Sequence, residues 1–131
     1  MRIHVDSEIG PLERVLVHLP GREIDRMSPS MMERLLFDDI LDGDEARAEH
    51  GDFTEVLRKA GARVHDAGDL LAEALAQSGA RERLLGELHQ EYGASREVVR
   101  RLVELDTGDR ATALVEGLPA EPGSRDAVLL P

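Results

Sequence analysis

Leu35, Leu36 and Phe37 run directly into Asp38 and Asp39, an apolar triplet followed by two adjacent carboxylates. That order suits a segment buried on one side that presents acids on the other. Leu36 could line an apolar pocket, although an ordinary core contact would use the same residue type. Asp38 and Asp39 could orient a neighbouring loop or an arginine. Acids at the end of a helix oppose its dipole, which hints at a specific partner. The plainer reading is a solvated pair at a helix end, with no direct catalytic role.

The remaining chemistry-bearing residues are scattered. Glu49 and His50 are adjacent in a helical pattern and so face different ways. No second histidine follows at i+4, and a metal pair there is disfavoured. His4, His18, His65 and His89 lack ligand spacing. His18 sits in a strand pattern, where a satisfied buried imidazole is the default. Ser7 has no base beside it, which weakens a serine hydrolase reading. Gly10 and Gly21 are turn glycines, and no phosphate-cradling loop is present. Cysteine is absent, so there is no disulfide, thiolate metal site or cysteine nucleophile. No residue of the chain is assigned a catalytic or metal-binding role.

Composition narrows the partners. The 131 residues carry 16 Lys plus Arg against 27 Asp plus Glu, a net charge of -11. That disfavours nucleic acid and anionic membrane surfaces. It permits cationic small molecules, though acidity alone usually serves solubility. No apolar run is long enough to span a bilayer, and no secretory leader pattern opens the chain. A reducing compartment is compatible with a cysteine-free chain, so a cytoplasmic location is expected. Phe37, Phe53 and Tyr92 are the only aromatic residues, so a core must be built from aliphatic side chains.

The elements that would position these groups follow from pattern. Arg14 to Leu19 reads as a strand covered on both faces, between the turn pairs Gly10-Pro11 and Pro20-Gly21. Ser28-Pro29 predicts a short helix through Leu35 and Leu36. Asp44 to Ala60 is helical, with Phe53, Val56, Leu57 and Ala60 on one apolar face, stopped by Gly61. Arg63 to His65 is a second strand, so strand, helix and strand form a crossover unit. Beyond Asp66 four short helices are expected. Leu70 to Leu75 mark the first. Leu84, Leu85 and Leu88 mark the second, ended by Gly93. Ser95 caps the third, with Val98, Val99, Leu102 and Leu105 inward. Ala111, Leu114 and Val115 mark the fourth, stopped by Gly117 and Pro119. Residues 119–124 read as a loop and Ala127 to Leu130 as the start of an apolar strand. Two strands alone are marginal, which signals an unfinished sheet.

Several of these stretches together resemble the N-terminal part of arginine deiminase. They are Ser7-Glu8-Ile9-Gly10-Pro11-Leu12, Val15-Leu16-Val17-His18-Leu19-Pro20-Gly21 and Leu35-Leu36-Phe37-Asp38-Asp39-Ile40. Glu49-His50, Phe53, Leu57, Gly61, Val64 and Asp69 to Leu75 continue the likeness. It is close over the first half of the chain and mainly one of pattern after Ser78. The resemblance implies an α/β fold, the first ββαβ-type module of a pentein propeller followed by an inserted helical bundle. The propeller would be incomplete and the chain helix-rich. Residues 1–68 would form the module, 69–118 the bundle and 119–131 a linker returning toward the catalytic propeller.

The family hydrolyses the guanidinium of L-arginine to citrulline and ammonia, using a Cys nucleophile, a His and guanidinium-gripping carboxylates, with no metal or other cofactor. Paired carboxylates suit a cation that keeps its charge, and a thiolate suits attack on its central carbon. The family's first guanidinium-binding Asp lies in a Phe-Thr-Arg-Asp motif expected beyond Pro131, and its Glu, His and Cys follow later. None is carried over. Leu36 matches a position of the substrate pocket, with Asp38 and Asp39 as shaping neighbours. The chain alone is therefore expected to be inactive, with L-arginine a partner only of a complete enzyme. Contact with the catalytic portion, or a homo-oligomer, is expected to cover the open strand. The alternative is a stand-alone, non-catalytic binding or oligomerisation module. A different guanidino substrate, as in amidinotransferases or methylarginine hydrolases, is disfavoured by the helical insertion.

Overall fold

A computed structural model describes residues 4–5, 7–29, 32, 36–119 and 127–128. Strand β1 (Arg14–Val17) pairs in parallel with β2 (Arg63–Asp66), in register from Arg14 opposite Arg63 to Val17 opposite Asp66. Parallel neighbours need a crossover. Helix α2 (Gly43–Lys59) supplies it, after a four-residue helix α1 (Arg22–Asp25). α1 was not foreseen, because Pro20-Gly21 reads only as a turn. The Asp42 carboxylate starts α2 by accepting the Asp44 and Glu45 N–H groups at 2.9 and 3.1 Å. Gly61 ends it at φ +94°, with the Ala62 N–H returning to the Leu57 carbonyl at 3.0 Å. This is the left-handed stop expected of that glycine.

Asp66 closes β2 and caps α3 (Ala67–Leu75) through the Gly68 N–H at 2.7 Å. Then come α4 (Ala80–Gln90), α5 (Arg96–Glu104) and α6 (Thr107–Glu116). Ser95 accepts the Val98 N–H at 3.2 Å and Asp106 the Asp109 N–H at 2.8 Å. The strands Leu118–Pro119 (β3) and Ala127–Val128 (β4) form an antiparallel ribbon. The expected loop and strand onset therefore become a pairing, with residues 120–126 and 129–131 outside those described.

The core lies among the last three helices. Leu85, Ala94, Val98, Leu102, Ala113 and Leu118 are buried together, with Leu88, Val99, Leu105 and Leu114 packed on them. The inward positions expected for α5 are thus confirmed. Arg110 of α6 is also buried, because its guanidinium donates to the Leu102, Val103 and Leu105 carbonyls at the end of α5. Those carbonyls have no partner within their own helix.

Three expectations are corrected. β1 stops at Val17, and it is not covered on both faces: Leu16 is 61% exposed. The α2 face that packs inward centres on Gly43 and Thr54, while Phe53 and Val56 are 54% and 63% exposed. Leu36 is not helical. Pro29 and Met32 are, and the stretch 33–35 lies outside the described residues.

Candidate functional site

Leu36 has a φ of +59° and is 91% exposed. The Phe37 N–H returns to the Met32 carbonyl at 3.0 Å. This is the six-to-one bond that Ala62 makes to Leu57, so Leu36 occupies the position that Gly61 holds at the end of α2. A branched side chain in the left-handed region costs about 1–2 kcal/mol. Here it lifts an isobutyl group into solvent instead of burying it. Phe37 is exposed as well, and Leu35, the third apolar residue of the expected buried side, lies outside the described residues. Asp38 and Asp39 follow on the surface. The Asp39 carboxylate accepts its neighbour Ile40 N–H at 2.8 Å, which shapes its own loop.

A second constellation forms at the C-terminal ends of the two strands, where open α/β sheets place their ligands. A cleft of about 350 Å³ lies between the His18–Gly21 turn, Asp66, the first turns of α3 and the α6 face that carries Ala111 and Val115. The Asp66 carboxylate takes the Leu19 N–H at 2.9 Å on one oxygen and the Gly68 N–H on the other. Desolvation raises its pKa, but the N–H donors of Leu19, Gly68 and Asp69 outweigh this and hold it below 3.8. Glu23 accepts the Gly21 N–H at 2.8 Å and meets the His18 ring nitrogen Nε2 at 3.0 Å. Desolvation again pushes its carboxyl up, and the Gly21 and His18 hydrogen bonds bring it below 4.5. Its second oxygen, Oε2, is buried without a partner.

Gly21 is the tight point of this cleft. A β-carbon there would stand 2.6 Å from Glu23 Oε2 and from Glu116 Oε1. The α6 end is fastened to the same loop by Arg26, whose guanidinium donates to the Glu116 carbonyl at 2.9 Å. Arg47 joins from α2, donating to Asp25, Asp44 and the Gly21 carbonyl.

His18 is thus corrected from a buried imidazole to a side chain 42% exposed and paired with Glu23. Glu23, Asp66 and Arg47 escaped the sequence reading. Only Asp66 carried a signal, an Asp directly ahead of a helical pattern. His50 lies against Phe53 with ring centroids 6.4 Å apart. His89 meets the Ala94 carbonyl at 2.8 Å, and His65 keeps a buried ring nitrogen without a partner. A wider hollow of about 510 Å³ beside residues 76–79 faces Arg81 and Arg110. Arg81 pairs with Glu82 and Arg110 with helix carbonyls, so their donors are largely committed.

The cleft is well built to hold a turn in shape. Both Asp66 oxygens and one Glu23 oxygen are taken by backbone N–H groups, and the chain has no thiol to attack a substrate. Among the described residues no three His, Asp or Glu side chains converge as a metal would require, and no helix is long and apolar enough to cross a membrane. The structure does not bring Leu36, Asp38 or Asp39 into this cleft's lining.

The sequence has relatives among known proteins. The family model described as arginine deiminase matches residues 33–110. An arginine deiminase of Metamycoplasma arthritidis is 49% identical over 87 residues, covering 65% of this chain and 21% of that protein. One from Streptococcus pyogenes is 42% identical over 105 residues, 77% of this chain and 26% of its own length. One from Limosilactobacillus fermentum is 47% identical over 91 residues. The chain spans about a quarter or less of the curated relatives it matches, in their N-terminal portion. On the family match across more than half of its residues, the chain belongs to the arginine deiminase family.

Proposed function

We propose that this chain is the N-terminal scaffold of an arginine deiminase, an enzyme that hydrolyses L-arginine to L-citrulline and ammonia in arginine catabolism. The observation that carries the reading is the match over residues 33–110 in a chain without cysteine. The family's thiolate chemistry then belongs to sequence outside these 131 residues. Residues 1–68 serve as the first propeller module of the pentein type, 69–118 as the inserted bundle and 119–131 as the return toward the catalytic propeller. Leu36 contributes an apolar wall to the substrate pocket, and Asp38 and Asp39 shape its edge. The strain at Leu36 supports this, because unfavourable backbone at an exposed apolar residue is retained where function uses it. The working location is the cytoplasm.

On this reading the purified 131-residue chain makes no citrulline from arginine. Turnover above a no-protein blank would refute it. The competing reading, a stand-alone binding or oligomerisation module, draws on the exposed Leu16, Phe53 and Val56. It expects a discrete, well-folded oligomer in size-exclusion chromatography with light scattering.

A further inference from the structure

One guanidinium gathers the neck of the segment that carries Leu36. Arg47, just over one turn into α2, grips the Asp25 carboxylate with both terminal nitrogens, Nη1 to Oδ2 at 3.3 Å and Nη2 to Oδ1 at 3.1 Å. Nη2 also donates to Asp44 at 2.8 Å, and Nη1 to the Gly21 carbonyl at 3.3 Å. Asp25 ends α1 and Gly43 opens α2. The chain therefore leaves at Asp25, passes Leu36 and comes back to the same side chain. The return is close. Gly43 is buried, and a β-carbon on it would stand 1.8 Å from Asp25 Oδ1 and 2.9 Å from Arg47 Nη2. Its backbone is helical, so space and not conformational freedom asks for glycine there.

The bonds near Leu36 are local ones. The Phe37 N–H returns to Met32 and the Ile40 N–H to Asp39. They shape the segment without fastening it to another element. Its entry is held by the buried Met27 and by Arg26 on the Glu116 carbonyl, and Arg47 ties the return to that entry. The Arg47 and Asp25 side chains are partly open to water, so their pairing adds little stability. A two-pronged grip on one carboxylate does fix direction.

We propose that Arg47 is a positioning residue for arginine hydrolysis: by holding the two ends of the 26–42 segment together, it sets where Leu36 stands against the substrate. The inference rests on the pocket-wall role of Leu36 proposed above and adds the group that governs it. Arg47 acts through Leu36 and touches no reacting atom. Its loss misplaces an apolar wall, which weakens binding of substrate and transition state alike and so raises KM more than it lowers kcat.

The test is steady-state kinetics of a full-length enzyme carrying these residues. Arg47→Met should raise KM for arginine three- to tenfold, no further than Leu36→Gly does, with kcat within twofold. Arg47→Lys keeps the charge but loses the fork, and should recover part of the KM. Gly43→Ala drives Asp25 off Arg47 with every charge in place and should reproduce the Arg47→Met effect. Lys59→Met, which removes a cation from the far end of α2, should change neither constant. The double variant Leu36→Gly/Arg47→Met should be no worse than the more affected single one, because both act on the same wall. Thermal melts check folding; if Arg47→Met fails to fold, Gly43→Ala and Arg47→Lys carry the test.

A raised KM in Leu36→Gly with none in folded Arg47→Met or Gly43→Ala overturns the inference and leaves the pocket-wall reading standing. An unchanged KM in Leu36→Gly overturns that reading, and the inference with it. Effects of the two single variants that multiply in the double one overturn the inference, since Arg47 then acts elsewhere. A fall in kcat and melting temperature with KM unmoved also overturns it, and leaves Arg47 as a structural fastening only.

Discussion

Leu102 in α5 has no exposed surface, whereas Leu16 in β1 keeps 61% of its own open. The contrast runs through both regions. In the front module the buried apolar side chains among the described residues are Met27 and Ala62, and its larger ones face outward. In the bundle, Leu85, Val98 and Leu102 meet the small Ala94 and Ala113, so short helices find the tertiary packing they need. The module is instead held by polar fastenings: Asp66 on Leu19 and Gly68, Glu23 on Gly21 and His18, Arg47 on Asp25 and Asp44. Hydrogen bonds of this kind fix geometry, and at groups open to water they add little net stability. The bundle is therefore expected to carry most of the stability of the chain.

The largest break in that contrast comes from trading leucines. Leu102→Ala should cost about 2–5 kcal/mol in a thermal melt followed by helical circular dichroism. Leu16→Ala should stay within about 0.5 kcal/mol. Equal losses would mean that the module shares the core. Next, Arg110→Met removes the guanidinium from three carbonyls at the end of α5 and should cost about 2–3 kcal/mol. Hydrogen exchange should show the loss concentrated where α5 meets α6.

Smaller effects sharpen the comparison. Ser95→Ala should cost about 1 kcal/mol through the lost cap on α5, read as a shift in urea midpoint. Leu36→Gly should stabilise the chain by about 1 kcal/mol, since the left-handed backbone no longer opposes a side chain. In a full-length enzyme carrying these residues, the proposed role of Leu36 in the pocket wall predicts that the same change raises KM for arginine. The subtlest is a pH effect. Glu23 and Asp66 are held below their ordinary values of 4.5 and 3.8. A lowered carboxyl contributes stability that is fully present above its unfolded value and fades as pH falls through its folded one. The amide signals of Leu19, Gly21 and Gly68 should therefore move together as the solution is acidified below about pH 4. The Val98 amide, which donates to the uncharged Ser95 hydroxyl, should move least.

The sequence was most readable where local chemistry decides the outcome. Ser95 ahead of Val98 and Leu102 announced a capped helix with an apolar stripe. Gly61 announced a left-handed stop. The strand, helix and strand order of residues 14–66 announced a parallel pair. It was least readable where the partner decides. Periodicity put Phe53 and Val56 on one apolar flank, but periodicity is blind to what lies against that flank. A buried His18 follows only from a strand covered on both faces, and with Leu16 open to solvent both expectations fail together. Leu36 shows a different limit. Its side chain argues for burial, and only the backbone bond from Phe37 to Met32 reveals a glycine position occupied by leucine. The arrangement around Glu23 was hidden because it joins residues 18, 21, 23 and 116, whose spacing follows no helix or strand period.

Asp66 is the final residue of β2 and the cap of α3, so strand passes to helix with nothing between them. A joint without spare residues has no slack. Any tilt of the two strands must be handed on whole to α3 and, through the packing of α3 on α6, to the far helices. The bundle thus rides on the sheet as a rigid outrigger and not as a pendulum. A single glycine inserted after Asp66 would turn the outrigger loose.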